Sequence, residues 1–496
     1  MAAAQLPPST PQAQYMTQRV DNFDPQNQGT WKQRYWVNDT HFAGKGKGPL
    51  FVQISGEAAF NPIWVVADVE SMDNAATFGA VVAAVEHRFY GESQPFGDLS
   101  TEHLAFLSSE QALADLAVTI AALKEQYEPT AVVVFGGSYS GALAGWFRTK
   151  YPHLADVGVA TSSPVLAELD FVEYLQVVTK SLENPLVGGS TACTGAVASA
   201  TAAIEAALKT DAGRQMLSTK FQTCETLSMQ SSAQDVSNFL STIIGSFMGV
   251  VQYNIDNNAF EHGGKVNPNT VASVCKTMTT TSATPLDNYA AVSAATNLAF
   301  APSVPAHAQA FGLRAGAPAP DACIDISYSG MIAQLQNTSL ASAAAEGGRQ
   351  WTYQTCAQFA YFQTTDAAAP AQVFGPASFI PLSFYTGMCA DIFGAAFTPA
   401  VVKANVAFTN THYGGKDLAG TRIIVPNGNI DPWHALSVTT PDASRETIVP
   451  IMVDGGAHCS NMYPASPNDL PSLTAARKQI TNQLGKWLPA PGGATA

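Results

Sequence analysis

The chain has 496 residues, long enough for one large α/β domain carrying an insertion. Only 12% of its residues are charged and the formal net charge is -14, which argues against a nucleic-acid or anionic-membrane partner. No apolar run reaches the roughly 18 residues of a membrane span, and the cysteines lack the spacing of a zinc site, so no cofactor or metal is expected.

Residues 1–18 are polar and rich in Pro and Gln, and a flexible terminus is expected there. The opening MAAAQLPPSTPQAQY lacks the basic and apolar parts of a signal peptide. The expectation is therefore either a cytosolic protein or a chain that begins after a removed signal. Residues 30–36, TWKQRYW, alternate aromatic and polar side chains and predict a strand, with a turn at Asn38-Asp39. Leu50–Ile54 predicts the first buried strand. It runs into Ser55-Gly56-Glu57, a small-residue turn suited to placing the Gly56 amide opposite an oxyanion. Residues 79–85 predict another strand, ending in EHRFYG. His87 in that segment reads as a structural hydrogen-bonding residue, since it has no evident partner acid. Ser108 with Gln111 predicts a capping box for a helix whose apolar face is Leu113, Leu116, Ile120 and Leu123.

Residues 131–151 read AVVVFGGSYSGALAGWFRTKY. A β-branched run ends at Gly136-Gly137, Ser138 follows, and Ala142, Leu143, Trp146 and Phe147 then recur at helical spacing. Strand, sharp turn and helix with serine at the apex is a nucleophile elbow. It presents the hydroxyl above a sheet and the next amide, that of Tyr139, at a helix N-terminus where an oxyanion would sit. Ser140 occupies the place of the usual second glycine, and being small it fits. The competing reading is a glycine-rich turn that binds a phosphate or nothing.

Val157–Thr161 predicts the next strand. The alternation of strands and helices to this point implies parallel pairing with helices on both faces. From 168 to 395 the texture becomes helical and rich in Ala, Ser and Thr, with an Ala/Pro-rich linker at 299–320. Cys193, Cys224, Cys275, Cys323, Cys356 and Cys389 fall in this region, and Cys459 lies near the end. Cysteines so widely spaced suggest disulfides bracing an insertion and an oxidising compartment, with buried free thiols as the alternative. Sequons at Asn38 and Asn337 fit secretion. The expected division is a flexible 1–18, an α/β domain at 19–167 and 396–490, and a helical insertion at 168–395. Residues 421–426 predict a strand followed by NGNIDPW, and 447–453 another followed by DGGAH. Leu473, Ala476, Ile480, Leu484 and Trp487 form one face of a last helix, before a frayed GGATA tail.

A nucleophilic serine needs a base to take its proton, and the base needs an acid to hold its tautomer. Asp431 and His458 each follow a predicted late strand, in the chain order Ser, Asp, His of hydrolases with an elbow. His434 is too close in chain to Asp431 to be its partner base. Asp454 is a competing acid, better read as structural, and Cys459 reads as a packed thiol. Trp351, Tyr353, Phe359 and Tyr361 are candidate pocket aromatics, although such spacing also fits a core.

GGSYSGALAGW, EHRFYGES, FLSSEQALAD, NGNIDPWHAL and GGAHCSNMYP together resemble the serine peptidase family of prolyl carboxypeptidase, dipeptidyl peptidase II and thymus-specific serine protease. The resemblance spans nearly the whole chain and is nearest the thymus-specific branch. It implies an α/β-hydrolase core with a helical cap, Ser138 as nucleophile, Asp431 as orienting acid and His458 as base. It also implies secretion or lysosomal targeting and frequently a preference for proline before the cut, and the cap would limit access to chain ends or short peptides. Cap disulfides Cys193 with Cys275, Cys224 with Cys323 and Cys356 with Cys389 are implied as well, leaving Cys459 free. Two departures stand out. QFAYFQTT follows WTYQTC where relatives often have another cysteine, and Met462-Tyr463 stands where prolyl carboxypeptidase has a basic residue, against a carboxypeptidase reading. An esterase or lipase also fits the three residues, a non-catalytic binding protein fits the fold, and a homodimer is left open.

Overall fold

The computed structural model describes residues 9–255, 267–298 and 323–489. The linker at 299–320, the GGATA tail and the start of the polar terminus lie outside the described residues. Ten strands are described: β1 Gln14–Arg19, β2 Thr30–Asn38, β3 Leu50–Ile54, β4 Val81–Val85, β5 Val132–Gly137, β6 Val157–Thr161, β7 Glu168–Asp170, β8 Ala360–Phe362, β9 Ile423–Gly428 and β10 Ile448–Val453. Eight of them form one sheet in the order β1-β2-β4-β3-β5-β6-β9-β10. β1, β2 and β4 pair antiparallel, and from β4 onward every pairing is parallel.

The parallel strands read as continuous apolar runs because both faces of the sheet are covered. Side chains alternate between the two faces. Leu50, Val52, Val132 and Val134 point into one core, and Phe51, Val133 and Phe135 into the other. The second core is closed by helices α1 (Glu70–Phe78) and α6 (Pro471–Trp487). The first is closed by α2 (Ser109–Tyr127) and α3 (Tyr139–Lys150), and it runs without a break into the helices between β6 and β9. Among these are α4 (Glu173–Glu183) and α5 (Ala233–Gln252). The strand order, with its helix-starting turn after β5, makes this an α/β-hydrolase core carrying a helical cap. Disulfides join Cys193 to Cys275, Cys224 to Cys323 and Cys356 to Cys389, and Cys459 is a buried free thiol.

Several sequence expectations are corrected. The terminus is ordered from Gln14, because Gln18 is buried and donates to Gln33 Oε1 (2.7 Å) and the Asp115 carbonyl (2.9 Å). The strand expected from residue 79 begins at Val81, since Gly79 has φ 66° and caps α1, a helix the sequence reading omitted. The strand expected at 421–426 lies two residues later. Ser108 caps α2 alone: the Gln111 side chain reaches Asp21 and Asn22 instead of closing a box. The short parallel pair β7 and β8 was unforeseen, and it joins the first residues of the insertion to a segment near its far end.

Candidate active site

Ser138 lies between β5 and α3 with φ 61° and ψ -131°, a backbone conformation that costs a non-glycine residue of order 1–3 kcal/mol. The surroundings hold it there. Its amide donates to the Thr161 carbonyl (3.0 Å), and its carbonyl accepts from the Ala142 amide (3.0 Å). Ser140 braces the turn, its hydroxyl donating to the Gly137 carbonyl (2.7 Å) and accepting from the Gly137 amide (3.0 Å). A serine at this place thus spans the turn as well as fitting it. Gly136 is required for a different reason: a Cβ there would collide with the Ser140 carbonyl. Gly136→Ala is expected to lose at least about 4 kcal/mol of stability, read as a collapsed melting temperature or absent soluble protein.

Asp431 is fully buried, just past β9, and caps a short 3-10 turn, Pro432–Leu436. One carboxylate oxygen accepts from the Trp433 amide (2.9 Å) and the other from His458 Nδ1 (2.9 Å). Both oxygens are therefore committed. His458 Nε2 has no hydrogen-bond partner among the described residues. Burial pushes the imidazolium down, but the Asp431 carboxylate and Cys459 beside it outweigh that and hold its pKa well above the usual range. The loop after β10 packs against the elbow. The Cys459 amide donates to Ser162 Oγ (2.9 Å), and a Cβ on Gly137 would press into Cys459 and Met462. Gly56 stands on the other side of the elbow, where an added Cβ would lie 3.7 Å from Ser140 Cβ.

Behind the elbow, Asn461 Nδ2 donates to Glu70 Oε2 (2.9 Å) and Thr161 Oγ1 (3.0 Å). Burial raises the Glu70 carboxyl to about 8, and Asn461 and Arg477 only partly offset this. A carboxyl raised on folding binds its proton more tightly in the native state. Its stabilisation is complete below the ordinary value of 4.5 and is lost as pH climbs through about 8. Glu70→Gln keeps the neutral shape, so it should flatten the stability profile between pH 5 and 8 by on the order of 3 kcal/mol, measured by denaturant melts.

His87 bonds through Nδ1 to the Arg88 carbonyl (2.7 Å), which makes Nδ1 the donor. Its Nε2 is then an acceptor for the Tyr139 hydroxyl (3.0 Å), which also accepts from Gln354 Nε2 (3.0 Å). Burial lowers the His87 pKa to about 4, so it stays neutral and anchors the side chain of Tyr139, next after Ser138. His434 bonds to the Asp431 backbone carbonyl (2.6 Å) and not its carboxylate, and Asp454 accepts from Asn429 (2.5 Å), so neither takes a place in the Asp431–His458 pair. Trp351 and Tyr361 line a cavity beside Trp433 with Tyr174, Tyr253 and Tyr385. Tyr353 and Phe359 do not: Tyr353 packs on Phe393 and Phe397, and Phe359 on Tyr139 and Trp146. Sequence reading missed Gln252, which lines the same cavity and whose backbone carbonyl accepts from the His458 amide (2.9 Å). No local pattern marks it, because its side-chain partners are 78 and 181 residues away in chain.

Residues 18–480 match the family model described as serine carboxypeptidase S28. A Caenorhabditis elegans protein named as a candidate serine protease is 37% identical over 480 residues, covering 96% of this chain and 88% of its own. The thymus-specific serine protease of Mus musculus is 34% identical over 488 residues, covering 97% and 88%. The lysosomal Pro-X carboxypeptidase of Homo sapiens is 28% identical over 487 residues, covering 96% and 88%. Matches of that length embrace the cap as well as the hydrolase core, with the thymus-specific enzyme more similar than the carboxypeptidase. The chain belongs to the S28 family of serine peptidases.

Proposed function

We propose that this serine peptidase cuts peptides at chain ends through Ser138, His458 and Asp431, with a preference for proline before the scissile bond. The observation that carries the reading is the buried Asp431–His458 bond, whose far nitrogen is left open, at the same sheet edge as a serine in strained backbone. His458 Nε2 takes the Ser138 proton as Oγ attacks the peptide carbonyl, and the Tyr139 and Gly56 amides hold the oxyanion. The imidazolium then gives that proton to the leaving amine, and the resulting acyl-enzyme is hydrolysed by a water that His458 deprotonates.

The cavity supports a neutral, ring-shaped residue next to the cut. It is lined by Trp351, Trp433 and tyrosines, and no Asp, Glu, Lys or Arg is among its described lining residues. Met462 and Tyr463, which by the resemblance stand where prolyl carboxypeptidase has a basic residue, are buried and uncharged, which weighs against carboxypeptidase specificity. Three disulfides and relatives of lysosomal name support secretion or a lysosomal address. Asn337 is the exposed sequon, whereas the Asn38 amide is held by the Val65 carbonyl (2.6 Å).

The test combines a fluorophosphonate probe, with the labelled peptide mapped by mass spectrometry, and two proline-containing peptides, one blocked at each end. Label on Ser138 and cleavage of only one peptide are expected. An unlabelled folded protein at both acidic and neutral pH would sink the triad, and equal cleavage of both peptides would sink the exopeptidase mode.

A further inference from the structure

We propose that Gln252 is a positioning residue through which the cap holds the acid and base loops in register; this rests on the triad reading above. Gln252 is the last residue of α5 and is buried. Its backbone carbonyl belongs to a helix end, where carbonyls have no partner within the helix. That carbonyl accepts from the His458 amide at 2.9 Å, so the negative end of the α5 dipole faces the loop that becomes positive during catalysis.

The side chain reaches the other loop. Gln252 Oε1 accepts from Trp433 Nε1 at 3.0 Å and from the Tyr174 hydroxyl at 2.5 Å. Indole Nε1 can only donate, so the atom facing it must be the oxygen, and both lone pairs of that oxygen are in use. Trp433 in turn donates its amide to Asp431 (2.9 Å) and lays its ring 6.3 Å from that of His458. One cap residue thereby bonds the loop of the base through its backbone and the loop of the acid through its side chain. Tyr174 adds α4, so two cap helices meet at this amide. The same residue lines the cavity, and filling that cavity with substrate bears on the group that aligns the pair.

The experiment compares Gln252→Leu, which keeps volume and loses the acceptor, with Gln252→Glu, which restores it. Gln252→Leu is expected to lower kcat about 30-fold with KM within about twofold, and to slow fluorophosphonate labelling of Ser138 by a similar factor. Gln252→Glu should recover at least about tenfold of the lost kcat. Trp433→Phe removes the matching donor and keeps a ring, so it carries the test if the leucine variant does not fold. It should cost about fivefold in kcat, and it should add nothing when combined with Gln252→Leu. Labelling and turnover of Gln252→Leu within about threefold of wild type would overturn the proposal, as would equal losses in the Leu and Glu variants. Failure of the wild-type protein to label at Ser138 brings down the triad itself and the proposal with it; normal wild-type labelling with an unaffected leucine variant brings down the proposal alone.

Discussion

Ser138→Ala should lower kcat about 10⁶-fold while leaving a residue of catalysis from substrate binding and the oxyanion amides. The hydroxyl is the only group at the apex that can form the acyl bond. Ser140, two residues on, has its hydroxyl tied to Gly137 in both directions. Alanine keeps the Cβ and so neither relieves nor adds to the strain at φ 61°. Melting should therefore move by no more than about 0.5 kcal/mol in equivalent stability. Active-site titration with the probe separates true residual turnover from contaminating wild-type enzyme. Turnover above about one part in a hundred would mean that Ser138 is not the nucleophile.

How much of this was legible depended on whether the information was local. Val132 to Phe135, two glycines, a serine and then a helical apolar face lie within one short stretch, so the elbow could be read directly from chain order. Asp431 and His458 were reachable because each follows a strand, and the sheet brings the carboxyl ends of its parallel strands to one edge. The cysteine pairs came from resemblance. Six cysteines allow 15 pairings, and nothing local distinguishes Cys193–Cys275 from its rivals. β1 was missed because its burial is poor and its order comes from Gln18 reaching across to α2. The β7–β8 pair was missed for a related reason: each strand has three residues, and the two lie far apart in the chain. Gln252 belongs to the same class, an ordinary polar helix end in sequence whose meaning lies in two distant loops. The groups proposed to perform the reaction carry local signals in the sequence, while the bonds proposed to align them cross between core and cap.

Asp431→Asn should cost about 10⁴-fold in kcat in a protein that still folds, because an amide cannot do both jobs of the carboxylate. Asp431 accepts two hydrogen bonds, from the Trp433 amide and from His458 Nδ1. If the asparagine keeps its oxygen on Trp433, its NH₂ faces His458, and the imidazole must carry its proton on Nε2. That nitrogen is then a donor toward Ser138 and cannot take the serine proton. If the amide flips, the NH₂ meets the Trp433 amide and the turn after β9 loses its cap. The pH profile carries the sign. The Asp431 carboxylate is what holds the His458 pKa up against burial, so without it the acidic limb of kcat/KM should move to lower pH. Stability follows the same linkage: a histidine raised on folding contributes fully below its ordinary value of 6.5 and loses that contribution as pH rises through the folded value. The melting-temperature gap between wild type and Asp431→Asn is thus expected to be widest below pH 6.5 and to narrow above it. A gap independent of pH, or an acidic limb that stays in place, would mean that the Asp431–His458 pair is not the charged couple on which the base depends.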